Sequence, residues 1–149
     1  MNNSYKKVLC AVDLTDDSLP VAAKAAALAA LWQAELCLLH VVEFVPIEPL
    51  SDSLVPVVQI DDSTIERARG QLQELAKSIG VAASACEVVG GTVKAELLRQ
   101  TREWRADLIV LGSRERHGLS ILVNLTEDTV LHAAPCDVLA VRLPAGTRT

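Results

Sequence analysis

Apolar positions along the chain fall into two alternating kinds of segment. Lys7–Leu14 (KVLCAVDL), Glu35–Glu43 (ELCLLHVVE), Ala85–Val89 (ACEVV), Asp107–Leu111 (DLIVL) and Asp137–Leu143 (DVLAVRL) are short, branched and nearly continuous in apolar residues. Such runs predict strands buried on both faces. Between them lie segments of helical character. Asp16–Ala34 is rich in Ala and Leu, with Lys24 its only cation. Pro20 fits that helix only within the first turn, where backbone N–H groups lack helical partners. Asp61–Gly80 repeats Ile65, Ala68, Leu72, Leu75, Ala76 and Ile79 at helical spacing, behind the capping groups Asp61, Asp62 and Ser63. Gly80 suits its carboxyl end. Val93–Arg105 carries the anchors Val93, Leu97, Leu98 and Trp104, and a last helix is expected from about Ser120 to Ala134, stopped by Pro135.

Five strands joined by helical crossovers imply an α/β fold, a mostly parallel sheet with helices on both faces and right-handed connections. Two stretches break the pattern. Phe44–Ile60 has three prolines and no helical period, which reads as a long surface loop, and loops of that length are often functional. Pro144–Thr149 reads as a frayed tail. No repeat or domain break interrupts the chain, so residues 1–149 read as one domain.

Composition narrows the functional classes. Hydrophobic residues make up 50% and aromatic residues 3%, so the core must be aliphatic. A net charge of −5 argues against a general nucleic-acid binder, which needs a clustered excess of Lys and Arg. The longest apolar helical stretch, Val21 to Trp32, is broken by Lys24 and too short to cross a bilayer. The opening MNNSYKK runs straight into a strand with no apolar signal region, so the expected compartment is the cytoplasm. Cys10, Cys37, Cys86 and Cys136 are far apart with no CxxC pair, which suits buried, reduced thiols.

In an open parallel sheet a ligand binds beyond the carboxyl ends of the strands, where strand order reverses. Three segments leave those ends with usable chemistry. Gly112-Ser113-Arg114-Glu115-Arg116-His117-Gly118 joins a strand to a helix. Its backbone N–H groups can cradle phosphate oxygens, or it can be a plain connection with solvated arginines. It is not a Walker A loop, because five residues separate the glycines and Leu119-Ser120 stands where Lys-Ser/Thr is needed. Asp13 can accept from a ribose hydroxyl or can turn the chain and cap the next helix. Thr15 shares the capping alternative. Val41 can frame a flat base or can be a core valine. His40 lies in an apolar run, where a hydrogen-bonded structural histidine is the commoner case. His132 and Cys136 are four apart but separated by Pro135, too few for a zinc site. Ser113 lies in no GxSxG elbow, and Trp104 reads as a packing anchor.

VLCAVDLTDDS, LLHVVE, ADLIVLGSRERHGLS and VLHAAPCDVLAVRL together resemble the universal stress proteins over nearly the full length. The resemblance implies a Rossmann-like sheet of strand order 3-2-1-4-5, a homodimer, and in many members binding of ATP or AMP. Nucleotide-binding members carry a loop of Gly, two residues, Gly, eight or nine residues, then Gly-Ser/Thr. Its first glycine maps to Gly112, its second to Glu115, and its last pair to Asn124-Leu125. Asp13, Thr15 and Val41 match the family's base- and ribose-facing positions. On this resemblance the candidate nucleotide contacts are Asp13, Thr15, Val41, Gly112, Ser113, Arg114, Gly118, Asn124 and Leu125.

The replaced positions disfavour a triphosphate. Glu115 adds a side chain and a charge, and two like charges at about 4 Å repel by about 4 kcal/mol at an effective dielectric of ~20. Leu125 lacks a hydroxyl donor, while Asn124 tolerates the left-handed backbone a glycine would take. The expected protein is a non-catalytic homodimeric interaction module with a degenerate ATP loop, pairing through the edge strand Asp137–Leu143 and serving an unknown protein partner. The expected cofactor is none or a weakly bound adenine nucleotide, AMP or ATP; the alternative function is an adenine-nucleotide sensor that binds AMP, ADP or ATP with weak or no hydrolysis. An adenylate-handling enzyme would need an acid, base or metal-ligand set around the phosphate, and the sequence offers none that is convincing.

Overall fold

The structure is a computed structural model that describes residues 4–43, 61–114 and 130–143. Its elements are β1 (Lys7–Ala11), α1 (Ser18–Trp32), β2 (Glu35–Glu43), α2 (Asp62–Ser78), β3 (Cys86–Gly91), α3 (Val93–Trp104), β4 (Leu108–Arg114) and β5 (Asp137–Leu143). All strand pairs are parallel and the sheet order is β3-β2-β1-β4-β5, as the resemblance implies. The order runs outward from β1 to β3 on one side and to β5 on the other. The reversal therefore falls between β1 and β4.

Period-two alternation divides each strand between two cores. From β1, Val8 and Cys10 face one cluster with Val21, Ala22, Ala25 and Ala29 of α1 and Ala68, Leu72 and Ala76 of α2. Leu9 faces the other, with Leu97 of α3, Ile109 of β4 and Val130. Each fully buried Leu or Ile contributes about 1.5–3 kcal/mol through burial. The small residues on the buried face of α1 let that helix approach the sheet closely. Pro20 is the third residue of α1, inside the first turn as expected. Asp61 caps α2 by accepting from the Ser63 N–H at 3.1 Å, and Gly80 follows the helix at φ +73°.

Several boundaries differ from the pattern-based expectation. β1 stops at Ala11 rather than Leu14, because Leu14 takes a left-handed conformation (φ +61°) and the chain turns there. β3 starts at Cys86, after a single 3-10 turn at Ala83–Ala85, and carries both Gly90 and Gly91. β4 begins one residue later than expected and extends to Arg114. Gly112, Ser113 and Arg114 are thus strand residues, opposite Val141, Arg142 and Leu143 of β5, and not the start of a loop. Their polar sequence hides a strand that the partner imposes. β2 and β5 have the expected limits.

Of the expected last helix, residues 130–133 are helical. Ala134, expected to end it, is described and not helical; the earlier part of that helix, the loop Phe44–Ile60, Glu115–Gly118, Asn124, Leu125 and the tail lie outside the described residues.

Candidate functional site

The carboxyl ends of β1, β2 and β4 meet beside the strand-order reversal. Cys10 of β1 stands opposite Leu39's neighbour Leu38 on β2 and opposite Val110 on β4. Asp13 leaves the end of β1 and Gly112 lies near the end of β4, on the two sides of that reversal. Val41 lies near the end of β2, on the far side of β1. The sheet topology thus brings Asp13, Val41 and Gly112–Arg114 to one end of the fold.

The turn after β1 is organised by one carboxylate oxygen. Oδ1 of Asp13 accepts from the Thr15 N–H at 3.1 Å, the Thr15 hydroxyl at 2.6 Å and the Ser18 hydroxyl at 2.9 Å. Desolvation pushes this carboxyl's pKa up, but the donors from Thr15 and Ser18 outweigh it and hold the group below the ordinary carboxylate value. Asp13 thus turns the chain together with Thr15, but neither caps the next helix as expected: α1 starts behind Asp17 with no side-chain cap, because the Asp13 carboxylate is taken up by Thr15 and the Ser18 hydroxyl. Ser18, buried at 3% exposure, is the member of this turn that sequence reasoning missed. Its signal was its place five residues after Asp13, at the first position of the helix.

His40 provides a second tie. Its Nδ1 lies 2.8 Å from the Val12 carbonyl oxygen. A carbonyl only accepts, so Nδ1 carries the proton and donates. The bond fixes the exit of β1 from β2, and His40 is the hydrogen-bonded structural histidine that its apolar setting suggested. Val41 is buried at 8% exposure and packs with Leu9, Leu39, Leu97 and Ile109. Its side chain belongs to the core on the α3 side.

Gly112 has a packing role. A Cβ built there would stand 2.9 Å from Cδ1 of Leu143 and 3.0 Å from Cγ2 of Val21. Its missing side chain lets α1, β4 and the end of β5 close on one another. Its φ is not in the left-handed region. Ser113 and Arg114 continue β4 in register with β5.

Among the described residues no group of His, Cys, Asp and Glu is arranged to hold a metal ion. The four cysteines are free thiols, Cys10 buried and the others half-buried. No described helix is long and apolar enough to cross a membrane.

Comparison with known proteins agrees with this architecture. Residues 4–142 match the universal stress protein family. Universal stress protein A homolog 2 of Coxiella burnetii is 36% identical over 142 residues, covering 95% of this chain and 97% of that protein. The solved structure of universal stress protein UspA from Lactobacillus plantarum superposes with a TM-score of 0.65 at 24% identity, covering 93% of this chain and 98% of that one. A universal stress protein crystallised in complex with cAMP superposes with a TM-score of 0.61 at 19% identity, covering 93% and 98%. Fold, strand order and sequence match together lead to one conclusion: the chain belongs to the universal stress protein family.

Proposed function

We propose that this universal stress protein is a non-catalytic, homodimeric interaction module of the cytoplasm, and that its cleft no longer grips a polyphosphate. The observation that carries this reading is the packing of Gly112. It is the one position of the family's phosphate-loop signature that the sequence retains. Contact with Val21 and Leu143 accounts for a glycine there without any ligand. The remaining signature positions, Glu115, Asn124 and Leu125, lack the residues that would approach and bind phosphate.

Dimerisation is supported by the sheet edge. β5 pairs with β4 on one side and with no described strand on the other. Val138, Leu139 and Val141 are half-buried, and Ala140 and Arg142 are exposed. An edge strand with one charged side chain over its central residues is open to pairing with a second copy about a two-fold axis. The unknown protein partner would then meet a dimer. Light scattering at micromolar concentration should give twice the 16.0 kDa chain mass. A monomer would overturn the dimer reading.

An adenine-nucleotide sensor is the second reading, and one arrangement favours it. Asp13 stands at the carboxyl end of β1, the end where ligands of such sheets bind. The cAMP complex of a family member shows that this fold can hold a ligand with a single phosphate in another protein. Calorimetry with cAMP, AMP and ATP separates the two readings. Saturable heat with the single-phosphate ligands and little with ATP supports the sensor, and no heat with any of them removes it.

A further inference from the structure

We draw no further inference here: the strongest candidate, the outer face of α1 where Leu19, Ala23, Ala27, Ala30 and Leu31 stand exposed beside the single charge of Lys24, is an unpartnered apolar face, and nothing in the structure shows what covers it.

Discussion

Gly112→Ala is the most informative single substitution. It adds one methyl group between two buried side chains, Leu143 at 6% and Val21 at 3% exposure. The new carbon would stand 2.9 Å from Leu143 Cδ1 and 3.0 Å from Val21 Cγ2. Carbon atoms prefer separations of about 3.5–4.0 Å, so each neighbour must retreat by at least about half an ångström. The end of Leu143 can rotate, but Val21 has one strongly preferred rotamer in a helix and can move only with α1. Overpacking of this kind costs about 1–3 kcal/mol. At the ~2–4 °C per kcal/mol expected for a chain of this size, a cost near 2 kcal/mol lowers Tm by about 4–8 °C. Urea unfolding of wild type, Gly112→Ala, Val21→Ala and the double variant measures it. Val21→Ala removes one of the clashing methyl groups, so it should recover part of the loss, with a coupling of at least about 0.5 kcal/mol. If Gly112→Ala is as stable as wild type, or the two substitutions are additive, the packing account of this glycine is wrong.

Three further outcomes are expected. Tyr5 is the only tyrosine, and its hydroxyl donates to Asp137 Oδ2 at 2.6 Å. That bond, followed by desolvation and the Asp137 charge, raises its pKa above the usual 10, so ultraviolet titration should show late phenolate formation. The linked stability is complete below pH about 10 and lost as pH rises through the folded-state value; Tyr5→Phe should abolish this alkaline loss. Asp13→Ala should lower Tm at neutral pH, and the gap should narrow as pH falls through the depressed folded-state pKa and the wild-type carboxylate is protonated. A gap that widens in acid would contradict the hydrogen bonding assigned to Oδ1. Cys10 and Cys37, both with thiol pKa values pushed up to about 12 chiefly by burial, should resist a thiol reagent at pH about 8 until the protein unfolds. Rapid labelling of Cys10 in the native protein would contradict its burial.

The legibility of the sequence followed its apolar pattern. β2 and β5 are apolar runs opened by the charged residues Glu35 and Asp137 and were readable to the residue, while the cap of α2 was narrowed only to Asp61, Asp62 or Ser63, of which Asp61 serves, and Gly80 marks the turn after it. β4 was read too short because Gly112-Ser113-Arg114 has no apolar alternation, and the strand is set instead by pairing with Val141–Leu143. β1 was read too long because Val12 looks like a strand residue, while the Asp13 carboxylate captures Thr15 and Ser18 and bends the chain. The same carboxylate shows the limit for function. Its residue type and position suited both a turn and a ribose contact, and only the hydrogen bonds show that one oxygen serves the turn. Gly112 was legible as part of a family signature, but its contacts with Val21 and Leu143 join residues far apart in the chain and leave no local trace.

The central claim is that this family member retains the fold without the grip for a polyphosphate. Its most direct test is the nucleotide content of protein purified without added ligand, released by acid and separated by chromatography. The account predicts that no ATP accompanies the chain. ATP recovered at one mole per mole of chain would contradict it, because Glu115, Asn124 and Leu125 would then be compatible with a working phosphate site.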